Sequence, residues 1–193
     1  MRQIFFSIAI LSLVTLGLSC NKYDSTDALP ERAPFSSTFL GNPNNNVSIT
    51  GIGPYEYGFK FSVSKNGSIT RLGCKMPKTG TYRVTLWDIS FSAPGVMAQA
   101  NVVEPSDSTL SFADINPVSV VIDKDYFLSI WSDNNWYRVI PTTATSFAYP
   151  ITTGSIIVKG YQWTSAPATP QKFPLTQDVT YVAGVPDLEF LPN

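Results

Sequence analysis

The chain has 193 residues, with 13 Lys and Arg against 14 Asp and Glu, two cysteines and no histidine. That balance offers no basic face for nucleic acid. The missing imidazole removes Ser-His-Asp and Cys-His nucleophile activation, His-ligated zinc, and the side chain best tuned for proton transfer near neutral pH. No CxxC, HExxH or glycine-rich phosphate loop takes their place. The sequence therefore implies no cofactor and no metal and reads as non-enzymatic. A carboxylate-only glycosidase is the one enzyme class left open, with Asp88 and Asp133 as its candidate acids.

The chain begins with basic Arg2, an uncharged apolar run from Ile4 to Leu16, then Gly17-Leu18-Ser19-Cys20 and polar Asn21-Lys22-Tyr23-Asp24. At 13 residues the run is shorter than the roughly 18 that span a bilayer, and it fits a secretory signal of about 7–15 apolar residues ending in small ones. Ser19 before Cys20 makes it a bacterial lipoprotein signal, although Gly17 stands where Leu is usual. The expectation is a signal peptide over residues 1–19, an acylated Cys20 at the head of a flexible tether over 20–38, and one folded domain over 39–193. Several acyl chains on one cysteine would hold the protein on a membrane, here an outer-membrane lipoprotein facing outward. Losing Arg2 with the signal leaves a net charge of −2. With Cys20 acylated, Cys74 has no disulfide partner and reads as a buried thiol.

Residues 21–38 carry Asp24, Asp27, Pro30 and Pro34 without periodicity, and Asn42-Pro43-Asn44-Asn45-Asn46 opens the folded part as a loop. Tyr57, Phe59, Phe61 and Val63 then alternate with small or polar residues, the period of a half-buried strand. Asn66-Gly67 is a hairpin signal. Leu72, Cys74 and Met76 share one face of the next strand; after Pro77-Lys78-Thr79-Gly80, Tyr82, Val84 and Leu86 face inward on another. Val96, Ala98, Ala100 and Val102 continue the alternation.

Val118 to Ile122, Tyr126 to Trp131, Trp136 to Ile140, Ile156 to Trp163, Val179 to Val185 and Leu188 to Leu191 complete about ten strands, with no amphipathic helix after the signal. Short strands at close intervals, broken by Gly, Pro and Asn, predict an all-β, antiparallel β-sandwich of jelly-roll or Ig-like type.

The segments Tyr57-Gly58-Phe59-Lys60-Phe61, Gly67-Ser68-Ile69-Thr70-Arg71-Leu72 and Thr79-Gly80-Thr81-Tyr82-Arg83-Val84-Thr85-Leu86-Trp87-Asp88 occur in an order and spacing that resembles a family of bacterial extracellular β-sandwich modules. The family is known only as a domain of unknown function. The resemblance runs from about Tyr55 to Arg138. It implies an extracellular sandwich and brings no catalytic residues with it.

Three aromatic groups are candidate binding residues. Trp87 falls on the strand face opposite Tyr82, Val84 and Leu86, beside Arg83 and Thr85, and reads first as packing under a neighbouring loop. Trp131, Asp133, Asn134, Asn135, Trp136 and Tyr137 surround a tight Asp/Asn turn; two indoles, a phenol and amide groups at one end of a sandwich suit a sugar ring. The same residues equally suit a plain hairpin with cross-strand aromatic packing. Asp133 with Asn134 supplies few of the roughly six oxygens a calcium ion takes. Tyr161 and Trp163 share a face with Lys159 and read as core or loop cover. The sequence thus predicts an envelope lipoprotein that binds an extracellular glycan, with an accessory subunit contacting another envelope protein as the alternative.

Overall fold

Alternation of inward and outward side chains shapes nearly every element of the domain. A computed structural model describes residues 28–193 apart from residues 52 and 134. Cys20, the signal and Asn134 lie outside the described residues. Fourteen strands follow one another: β1 (Glu31–Arg32), β2 (Asn45–Thr50), β3 (Tyr55–Val63), β4 (Gly67–Lys75), β5 (Gly80–Asp88), β6 (Gly95–Glu104), β7 (Leu110–Val120), β8 (Tyr126–Ser132), β9 (Trp136–Pro141), β10 (Ile151–Thr153), β11 (Ile156–Ser165), β12 (Thr176–Asp178), β13 (Val182–Ala183) and β14 (Val185–Pro192), with a short helix α1 (Pro34–Phe39) after β1. Ten of these strands have six residues or more. Every pairing is antiparallel, so the domain is the all-β antiparallel sandwich that its alternation predicts. Among the described residues no helix is long and apolar enough to cross a membrane.

The large sheet has the order β10-β11-β3-β8-β5-β6, with β12 also on β11; it faces a four-stranded sheet β1-β14-β4-β7, and β13-β9-β2 form a third, smaller sheet. Between the two main sheets lie Phe59, Phe61, Val84, Leu86, Leu128, Ile130 and Val158 from one side and Ile69, Leu72, Cys74, Val120, Leu188 and Phe190 from the other, all fully buried. Cys74 is a free, buried thiol, as expected from its alternation.

Consecutive strands mostly change sheets, which corrects two local expectations. Asn66-Gly67 does not close a hairpin, because β3 belongs to the large sheet and β4 to the facing one. Asn66 instead ties the crossing: its side-chain oxygen accepts from the Ile122 amide at 2.9 Å and its carbonyl from the Asn193 amide at 2.9 Å. At Gly67 a Cβ would lie 2.4 Å from the Leu191 carbonyl oxygen, so glycine is required by close backbone approach. Likewise Asp133-Asn134-Asn135 joins β8 of the large sheet to β9 of the small one.

Residues 179–185 are not one strand either. Gly184, at φ 53°, kinks the chain between β13 and β14, and a Cβ there would stand 3.0 Å from the Tyr57 ring. In β6 a bulge opposite Leu86–Trp87 turns Val96 outward, 53 % exposed, while Val102 is buried.

The expected tether over residues 20–38 is also corrected. From Glu31 onward the chain is folded: β1 pairs with β14, and α1 buries Phe35 and Phe39 completely. The Phe35 and Phe39 rings stack on Phe59 at centroid distances of 5.0 and 4.8 Å. Each such ring stabilises the fold by about 1.5–3 kcal/mol relative to exposure. Ala33, at the helix N-cap, offers no side-chain oxygen, and Asp187 of β14, the strand paired with β1, supplies one. Its carboxylate accepts from the amides of Phe35 at 3.2 Å, Ser36 at 2.8 Å and Leu188 at 3.1 Å. Glu31 in turn holds the β10–β11 turn, accepting from the Ser155 amide at 2.7 Å and the Ser155 hydroxyl at 2.6 Å.

Burial pushes the Asp187 carboxyl up to about 7, against the pull of its Ser36, Leu188 and Phe35 donors. Glu104, which accepts from the Met76 amide and the Cys74 thiol, is likewise raised by burial to about 7. Both folded values lie above the ordinary carboxyl values of 3.8 and 4.5. The stability they contribute is therefore fully present below about pH 4 and is lost as pH rises through about 7. The melting temperature is expected to fall by at least about 4 °C between pH 5 and pH 8. The double substitution Asp187→Asn, Glu104→Gln should flatten that slope in a pH series of thermal melts, whatever it does to the absolute melting temperature.

Candidate functional site

Strand β3 presents Tyr55 and Tyr57 on its inner face, and the antiparallel register of β11 sets Trp163 directly opposite Tyr57. The small sheet closes over this end of the strand pair. Trp136, the first residue of β9, meets Tyr55 edge to face at 5.4 Å and Tyr57 at 5.0 Å; Tyr55 meets Trp163 edge to face at 5.7 Å. Arg138, two residues on and therefore on the same face of β9 as Trp136, places its guanidinium 4.7 Å over the Tyr181 ring. These side chains, with Thr50, Gly51 and Ala183, line a cleft of about 300 Å³, the lower end of the usual range for ligand sites. Trp136 and Tyr57 form its floor, 5 % and 4 % exposed; Tyr55, Trp163 and Tyr181 are half-buried and Arg138 is exposed.

The cleft is apolar in body and positive at its edge. Burial, with the neighbouring Tyr181 and Tyr55, holds the Tyr57 hydroxyl far above the ordinary phenol range. Burial and Asp178 raise Tyr181, while Arg138 opposes them. Both phenols are therefore neutral hydrogen-bonding groups at neutral pH. The indole N–H of Trp163 is buried and has no partner among the described residues. No carboxylate lines the cleft, and no cluster of acids or cysteines able to hold a metal occurs among the described residues.

The predicted group Trp131, Asp133, Asn135, Trp136 and Tyr137 is dispersed by the sheet change between β8 and β9; Asn134 is not described. Only Trp136 enters the cleft. Asn135 lies beside it, its Cα 2.7 Å from where a Cβ on Gly51 would sit, so Gly51 lets the two backbones meet at the rim. Asp133 is exposed, and Tyr137 donates from its hydroxyl to Ser108 Oγ. Trp131 points to the opposite, outer face of the large sheet, donating from its indole to the Ala166 carbonyl at 3.0 Å.

That outer face is covered by residues 166–174. Arg83 lies 5.6 Å from the Trp131 ring, pairs with Glu56 at 2.7 Å and donates to the Ala168 carbonyl. Glu56 is fully buried and also accepts from Ser129 at 2.6 Å. Burial raises its carboxyl despite Ser129, Arg83 and Gln171. Trp87, 5 % exposed, donates to Ser129 Oγ at 2.8 Å, and Phe173 closes over it at 5.3 Å. Trp87 is thus packing beneath a loop, as its place on the strand face suggests.

Tyr161 and Trp163 face inward, but a bulge between Val158 and Gly160 turns Lys159 out, onto Asp125 at 2.6 Å; Lys60 pairs with the same acid at 2.8 Å. Sequence reasoning missed Tyr55, Arg138 and Tyr181. Alternation with Tyr57 signals Tyr55, whereas Tyr181 and Arg138 meet only through the pairing of β13 with β9.

Asp88, one of the two acids considered for glycosidase chemistry, does not suit the general-acid role. Lys124, hydrogen-bonded at 2.8 Å, and Ser90 bring Asp88 down to about 2, far from the raised value a general acid needs. No protein-family model matches the chain, and no curated protein is similar to it at a significant level.

Removing Arg83 leaves Glu56 buried without its counter-charge, which costs about 3–5 kcal/mol. Arg83→Met should therefore lower stability by that amount in chemical denaturation, and Glu56→Gln added to it should recover a large part of the loss.

Proposed function

We propose that this chain is a non-catalytic binding module whose ligand is an extracellular glycan, carried on a membrane by an acylated Cys20. The observation that carries this reading is the convergence of Tyr55, Trp136, Trp163 and Tyr181 on one open cleft of about 300 Å³. Sugar rings offer C–H faces to aromatic rings and hydroxyls to polar edges. Half-buried rings held by neighbouring rings supply such a surface with little ordering on binding. The signal sequence and the resemblance to extracellular bacterial modules support an outer-membrane location facing outward.

An accessory subunit binding another envelope protein is the second reading, and strand β2 favours it. Among the described residues β2 pairs with β9 alone, and its Val47 and Ile49 are 37 % and 58 % exposed. An unpaired apolar edge is a template for strand addition.

Binding to a panel of immobilised polysaccharides tests the first reading. Trp163→Ala is expected to reduce retention at least tenfold with the thermal melt preserved within a few degrees. Unchanged retention excludes the cleft as the site. Cross-linking in intact cells that recovers one dominant protein neighbour through β2, without glycan retention, favours the second reading. Mass spectrometry of the mature protein should find a fatty-acid-modified Cys20 at its amino terminus; any other terminus rejects the anchor.

A further inference from the structure

We infer that the cleft selects an anionic sugar, one bearing a carboxylate or sulfate, over its neutral counterpart; this rests on the glycan reading above. Arg138 carries the argument. The other arginines among the described residues each pair with a carboxylate: Arg32 with Glu189 at 2.6 Å, Arg71 with Asp114 at 2.7 Å and Arg83 with Glu56 at 2.7 Å. Arg138 has no such partner among the described residues, although it lies on the rim of the one aromatic cleft described above. The Arg138 guanidinium carbon lies 4.7 Å from the Tyr181 ring centroid, a cation–π contact that holds the group at the rim without a carboxylate partner. The fork of donors is thereby left for a ligand, in the geometry that matches a carboxylate or sulfate.

The rest of the lining agrees in sign. Neutral sugars are all hydroxyl, and their recognition draws on carboxylate and amide oxygens as acceptors. Not one Asp, Glu, Asn or Gln side chain is among the described residues that line it. Asp178, which acts on Tyr181 from outside the lining, is held by Thr180: its Oδ1 accepts from the Thr180 amide at 2.7 Å and hydroxyl at 2.7 Å. An acid-free aromatic cleft with one unpaired guanidinium at its mouth is complementary to a ring that carries negative charge. Because Arg138 is exposed, the pair it makes with ligand is screened by salt.

The purified protein would be applied to an array on which uronate-containing and sulfated oligosaccharides are printed beside their carboxyl-reduced and desulfated counterparts. The expected result is retention of at least one anionic member about tenfold above its neutral counterpart, weakening between 50 and 500 mM salt. Whether that member is a uronate or a sulfate ester names the source of the charge. Arg138→Gln should bring it down to the level of its counterpart, whereas Trp163→Ala should lose both. Equal or stronger retention of the neutral members overturns the anionic preference and leaves the glycan reading standing. Retention of no member, anionic or neutral, overturns the glycan reading itself. Should Arg138→Gln not fold, the salt dependence of the unaltered protein decides: retention insensitive to salt overturns the preference.

Discussion

One strand has to be buried on both faces, and the rest of the domain is arranged around that need. β3 lies between β11 and β8 in the large sheet, with seven of its nine residues buried. Its inner face is aromatic, from Tyr55 to Phe61, and calls for a second sheet and for the two phenylalanines of α1. Its outer face begins with Glu56, a carboxylate at 0 % exposure. A charge there is tolerable only with a counter-charge and hydrogen-bond donors around it. Arg83, Ser129 and Gln171 provide these, and the segment at 166–174 exists to bring the last of them and to shut out water. The cleft opens where the inner face runs out, at Tyr55, before the covering sheet is complete.

This arrangement explains how much the amino-acid order discloses. Alternation in β3, β5 and β8 is local, and the fold class, the inward residues and the buried Cys74 follow from it. Sheet membership is not local. Asn66-Gly67 and Asp133 to Asn135 carry good turn chemistry, but turn chemistry does not say whether two strands pair or part. The helix α1 was illegible for a related reason: Phe35 and Phe39 sit among Pro, Ser and Thr, and their cap, Asp187, is 151 residues beyond Ser36. The binding residues divide along the same line. Trp136 is visible as an aromatic beside a polar turn, while Arg138 and Tyr181 acquire meaning only when Val182 pairs with Val139.

The two tryptophan-bearing faces also separate two uses of the same side chain. Trp87 and Trp131 both give their indole N–H to a partner, Ser129 Oγ and the Ala166 carbonyl respectively. They are satisfied, covered, and serve to hold a segment down. Trp136 and Trp163 stand among other rings, with their edges and faces toward an opening. An aromatic count cannot tell these cases apart; the destination of the N–H and the presence of a covering segment can.

The pairing of β1 with β14, and of the start of α1 with Asp187, has a consequence for how this chain comes to be folded. The first described strand docks on β14, so no portion of the chain that lacks β14 can complete the interior. Long-range closure of this kind slows folding, and it leaves the polypeptide open until β14 is available to pair.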